Sequence, residues 1–233
     1  MNKFESLDIK QVLTQNTKMK NSTGIVYNWT IPAFKAKDGT VTCPNASKCV
    51  VGCYAKQGAY IWSNVSKVHN AKLALTKLPE FFSVMVNAIE SKLKAKKPIF
   101  IRIHDSGDFY SLDYTLTWFR IMKHFHNKNV MFYAYTKQVE MFKDLKDSIP
   151  NNFTVIFSYG GKQDHLINPE TDRHSLVFES SIELDSKGYI NASKDDLKAL
   201  TENNKIGLVY HGTKSYKNTT WNKVTTNKLK GVA

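Results

Sequence analysis

The chain has 233 residues, 26.6 kDa and a formal net charge of +13, a length that fits one α/β domain over residues 1–233. Its three cysteines cannot pair off completely, and no apolar run is long enough to span a bilayer, so a disulfide framework and a membrane protein are both disfavoured. The pI near 9.5 suits phosphate-rich partners, yet only Arg102, Arg120 and Arg173 are arginines, so the bidentate phosphate and guanine contacts that arginine favours are scarce.

The opening stretch MNKFESLDIK carries charges where a secretion signal needs an apolar core, which predicts a cytoplasmic protein. Ile25–Trp29 reads as a short buried strand. The cysteines follow, in CPNASKCVVGCYA, a C-x5-C-x3-C loop closed by Tyr54. Ile61, Val65 and Val68 then suggest a helix directly after the loop. Phe82, Val86, Ile89 and Leu93 keep helical spacing, with Pro79 near the first turn.

Ile99–Ile103 (IFIRI) is rich in β-branched residues and reads as a buried strand. Ser111 is a candidate N-cap for a helix carrying Leu112, Leu116 and Phe119. Val130–Tyr135, Thr154–Tyr159, Leu176–Phe178 and Ile206–Tyr210 read as further strands, and Val139, Phe142 and Leu145 as a helix between two of them. Ser193 with Asp196 resembles a capping box before Leu197 and Leu200. Strands separated by helices require crossovers, so the sheet should be parallel. The expected fold is α/β: a single-domain partial (β/α)6 TIM-like barrel with outer helices, or alternatively a doubly wound sheet.

Three thiolates in one loop suit a soft or borderline metal and leave one coordination position open. Cys43, Cys49 and Cys53 are therefore candidate ligands of a 4Fe-4S cluster. Zinc is the alternative, completed by a histidine such as His69 or His211. In parallel barrels, site residues collect after the C-terminal strand ends. The loop after Ile99–Ile103 reads His104-Asp105-Ser106-Gly107-Asp108, and Ser158 and His211 end later strands. As a bland turn, the same loop would only cap the next helix.

A cysteine loop, a helix, a strand and then a small-Gly-acid motif resemble the radical S-adenosylmethionine superfamily, in which three cysteines hold a 4Fe-4S cluster. The resemblance implies that Ser106, Gly107 and Asp108, with His104, Asp105, Ser158 and His211 nearby, bind S-adenosylmethionine, and that an electron donor reduces the cluster. The spacing departs from the C-x3-C-x2-C of that superfamily, and Gly52 rather than an aromatic residue precedes Cys53. More closely, CPNASKC, IRIHDSGDF and FYAYTK resemble the phage gene product 88 family over roughly residues 17–215. A phage protein would work in the host cytoplasm.

These readings give a redox enzyme of radical type acting on nucleotides or nucleic acid, or alternatively a non-catalytic iron-sulfur or zinc module that binds nucleic acid. Metal-dependent hydrolysis by His104, Asp105 and Asp108 ranks last, because it leaves the thiols without a role.

Overall fold

The computed structural model describes residues 9–93 and 97–211. Seven strands form one parallel sheet: β1 (Ile25–Trp29), β2 (Ile99–Ile103), β3 (Val130–Thr136), β4 (Phe153–Ser158), β5 (His174–Phe178), β6 (Ile190–Asn191) and β7 (Lys205–Val209). The sheet curls into a half-barrel. Helices α1 (Ile9–Val12) and α2 (Thr17–Lys20) precede it. The longer helices are α3 (Ser63–Thr76), α4 (Phe81–Glu90) and α5 (Leu112–His124), followed by α6 (Val139–Asp144) and α7 (Ser181–Ser186).

The strand order is β1-β2-β3-β4-β5-β7-β6. A doubly wound sheet reverses direction part-way along, whereas here each strand from β1 to β5 adds to the same side. Right-handed crossovers in one direction place the connecting helices on one face. That face carries Ile99, Ile101 and Ile103 of β2 and Val130, Phe132 and Ala134 of β3, packed with Met85 and Ile89 of α4 and Trp118 and Ile121 of α5.

Strand residues of the opposite phase point to the concave face. Val26, Tyr133, Ile156 and Ile206 form a second core there with Ala192 and Ala199. The concavity is thus plugged by the segment around a 3-10 turn, Asp196–Leu200. Plugging is chemically expensive, since the plug brings in Asp196, fully buried, beside the buried Arg102 of β2. Arg102 Nη1 donates to Asp196 Oδ2 at 3.0 Å, Tyr133 Oη donates to the same oxygen at 2.7 Å, and Lys18 of α2 pairs with the other oxygen.

Several expectations change. The sheet has seven strands rather than six, because Ile190–Asn191 is too short to show periodicity. The strands anticipated at Thr154–Tyr159 and Ile206–Tyr210 each start one residue earlier, and β5 begins at His174. Ile61 precedes α3 and is exposed, since that helix buries Leu73 and Leu75 at its other end. Ser111 caps α5 by accepting from Tyr114 N, but Leu112 and Leu116 face outward while Tyr114, Trp118 and Ile121 fill the core. The capping box is absent: Asp195 accepts from Leu197 N, Ser193 accepts from Val209 N, and Asp196 serves the buried ion pair. The opening residues 1–8 lie outside the described residues.

Candidate functional site

The three cysteines occupy a loop that is tied down along its length. Thr42 Oγ1 donates to Pro32 O at 2.6 Å, and Thr42 O accepts from Asp108 N at 2.9 Å, joining the start of the loop to the loop after β2. Farther on, Cys49 N donates to Gly160 O at 3.1 Å and Lys162 N to Asn45 O at 2.8 Å, which fastens it to the loop after β4. Gly161 permits this approach, because a Cβ there would lie 2.9 Å from Asn45 O. Gln138 bridges both loops, receiving Asn45 Nδ2 and donating to Phe109 O at 2.6 Å.

These ties close a cavity of about 180 Å³ over the C-terminal ends of the strands. Cys43, Cys49, Cys53, His104, Asp105, Ser106, Gly107, Asp108, Ser158 and His211 all line it. The sequence reading named all ten. It did not select Arg102, Tyr135 or Lys137, which stand in the same wall. Arg102 could have been noticed as the lone charge inside IFIRI. Tyr135 and Lys137 end a strand legible in the sequence, but the contacts of Lys137 come from the fold, where Nζ donates to Ser158 Oγ at 2.9 Å and to the carbonyls of Ser158 and Tyr159.

The strand-end loop is heavily constrained. His104 is buried with φ +67, a left-handed conformation that few residues other than glycine adopt. Its Nε2 lies 2.9 Å from Tyr114 Oη, Nδ1 has no partner, and burial lowers its pKa to about 3, so the ring is neutral. Asp105 Oδ2 accepts from Tyr60 Oη at 2.6 Å and from Asn28 and Asn16, and Tyr54 Oη donates to Asp105 O. Ser106 Oγ donates to Ile31 O at 2.6 Å. Asp108 accepts from Thr136 Oγ1 (2.6 Å), Phe109 N (2.8 Å) and Lys137 N (2.9 Å), yet burial still raises its pKa. Gly107 has φ +83 and sits against Ile31 and Pro32. His211 is exposed, with its ring 5.6 Å from that of Tyr54.

The thiols are partly exposed. Burial, then Asp108 and the two neighbouring thiols, push Cys43 up to about 12, and burial raises Cys53. Both are protonated at neutral pH, so a metal must displace protons on binding. Phe34 N donates to Cys43 Sγ at 3.3 Å. Among the described residues, no three or more His, Cys, Asp or Glu side chains converge on the position of a single metal ion. A hydrolytic metal on His104, Asp105 and Asp108 is correspondingly disfavoured, since both carboxylates are engaged by protein donors. A cluster differs from a single ion, because its ligands sit on separate irons and need not meet at one point. Three further buried polar atoms in the wall, Arg102 Nε, His104 Nδ1 and Tyr135 Oη, lack hydrogen-bond partners. Unsatisfied groups gathered at one cavity fit a site completed by a bound group.

A family model described as Gene product 88 matches residues 9–226. Two curated relatives, both named Gene 88 protein, come from mycobacteriophages. That of Mycobacterium phage D29 is 35% identical over 104 residues, covering 41% of this chain and 42% of the relative. That of Mycobacterium phage L5 is 32% identical over 125 residues, covering 50% and 52%. The chain thus spans about half the length of the curated relatives it matches. No solved structure matches. No helix among the described residues is long and apolar enough to cross a membrane.

Proposed function

This chain belongs to the gene product 88 family, and from that premise we propose that it is an iron-sulfur redox protein of radical-enzyme type, acting on nucleotides or nucleic acid in the host cytoplasm. In this reading Cys43, Cys49 and Cys53 hold a 4Fe-4S cluster. The observation that supports it is the meeting of three soft thiols with the strand-end loops around one cavity.

A cluster held by three thiolates supplies one-electron chemistry and one open coordination position, which S-adenosylmethionine would occupy. The chain's own residues shape the space around it. Phe34 N–H supports the Cys43 sulfur. Ser106 and Asp108 spend their side chains on Ile31 O, Thr136 and Lys137 N, so they hold the loop in place around Gly107. Ser158 holds Lys137 at the cavity wall. An external electron donor would meet the cysteine loop from its solvent side.

Anaerobic purification with iron, sulfide and zinc analysis tests the proposal. The expected result is iron and acid-labile sulfide in comparable amounts, and a reduced-cluster electron paramagnetic resonance signal that S-adenosylmethionine alters. Stoichiometric zinc without sulfide would instead support the alternative, a zinc module that binds nucleic acid without turnover. An unaltered signal would remove the radical chemistry and leave the cluster.

A further inference from the structure

Five exposed apolar side chains, Phe34, Val41, Val51, Ile61 and Trp62, fall within the sequence stretch 34–62 that carries the cysteines. Trp62 is 62% exposed, while Trp29 and Trp118 are wholly buried. Next to this stretch runs a groove of about 340 Å³ whose walls include Lys35, Lys37, Lys56, Tyr60, Ile61 and His69. No carboxylate lines it. None of the three lysines forms an ion pair among the described residues, and burial keeps His69 neutral by lowering its pKa to about 4. The groove therefore carries three uncompensated positive charges. Ala33 and Ala55 line both the groove and the cysteine cavity, so the two adjoin.

Phe34 sharpens the picture. Its φ of +61 is left-handed, a costly conformation for a bulky residue, and the ring remains 37% exposed with Lys56 Nζ 5.6 Å from its centre. The cysteine loop holds this backbone, since Phe34 O accepts from Thr42 N and Cys43 N and Phe34 N donates to Cys43 Sγ, and the turn leaves the ring partly displayed beside Lys56.

We propose that this groove binds single-stranded nucleic acid, with Lys35, Lys37 and Lys56 meeting phosphates and bases stacking on two rings at its margin, Phe34 beneath Lys56 and Trp62 next in sequence to the lining Ile61. Cations beside exposed rings suit the phosphates and bases of a single strand. A duplex hides its base faces and would leave the rings unused. An acidic protein would meet the lysines but has no general need of stacking platforms. The inference deepens the reading above by naming the polymer that reaches the cavity, but binding itself requires no cluster.

The test is fluorescence anisotropy of a short labelled oligonucleotide with the metal-free full chain, repeated over a range of salt. The triple variant Lys35→Ala/Lys37→Ala/Lys56→Ala should bind at least about tenfold more weakly, and the slope of log affinity against log salt should shrink by about 2. Lys123→Ala/Lys128→Ala/Lys146→Ala removes the same charge from the last turn of α5 and from the α5–β3 and α6–β4 connections, which precede the N-terminal ends of their strands, and should change both far less. Trp62→Ala should cost about tenfold with an unchanged salt slope, and Trp62→Phe should recover part of it. Equal losses from the two lysine triples, duplex binding as tight as single-strand binding, or competition by polyglutamate as effective as by oligonucleotide would each overturn the proposal. Iron and sulfide content is read separately, so absence of a cluster and absence of strand binding are distinguishable.

Discussion

Arg102 and Asp196, 94 residues apart in sequence, meet at 3.0 Å beneath the cavity floor, and their pairing joins β2 to the turn that plugs the concave face. Tyr133 and Lys18 complete the cluster, and Asp105 lies 3.5 Å from the same guanidinium nitrogen. Removing one partner of such a group leaves the others buried without compensation. Asp196→Asn should therefore destabilise the fold by about 3 kcal/mol in urea titration. Asp195→Ala, which removes the cap on Leu197 N and the acceptor of Thr23 Oγ1, should cost about 2 kcal/mol.

The same pair predicts an acid transition. Burial opposes the charged form of Asp196, but Arg102 and Lys18 outweigh it and hold its pKa at about 2. The unfolded value is about 3.9, so the folded state binds fewer protons between these limits. The stabilisation is complete above pH about 4 and disappears as the pH falls to about 2. The stability difference between wild type and Asp196→Asn, measured by denaturant titration, should shrink across that window.

Gly107 answers to backbone and space together. An alanine Cβ would fall 2.2 Å from Ile31 Cγ1 on a residue with φ +83. Gly107→Ala should cost about 3 kcal/mol, combining left-handed strain with overpacking. Gly39→Ala, with φ +88 and nothing within 4 Å, should cost only about 1 kcal/mol. Thermal melts of the two variants check the difference.

Two tyrosines of the site should behave oppositely. Tyr135 Oη has no partner, so Tyr135→Phe should leave stability unchanged or raise it by about 1 kcal/mol. Tyr114 Oη accepts from Trp29 Nε1 at 2.9 Å and lies 2.9 Å from His104 Nε2. Tyr114→Phe strands both groups in the core and should cost about 2 kcal/mol by the same measurement.

The thiols are partly exposed, and Cys49 alone of the three packs at the edge of the main core. Cys43→Ser, Cys49→Ser and Cys53→Ser should each change the stability of the metal-free chain by no more than about 1 kcal/mol. Each should nevertheless abolish most bound iron and sulfide after anaerobic reconstitution. A variant that retained full iron content would remove that cysteine from the ligand set.

The sequence by itself determined the parallel α/β character and the order of the main strands. Ile25–Trp29 and Ile99–Ile103 are apolar apart from Asn28 and Arg102 and read as buried strands, although β1 lies at the edge of the sheet. It also pointed to the strand-end loops that line the cavity, where loops are free of the ladder, though not to Arg102 within β2. Tertiary structure decided what no local pattern encodes. Asp196 looks like a capping residue until a plug segment folds back against Arg102, and the two-residue β6 exists only because β7 pairs with it. The face that α5 buries is set by the sheet beneath it, which takes Tyr114, Trp118 and Ile121 and leaves Leu112 exposed. In each case the deciding energy comes from groups distant in sequence, and periodicity within a short window cannot report it.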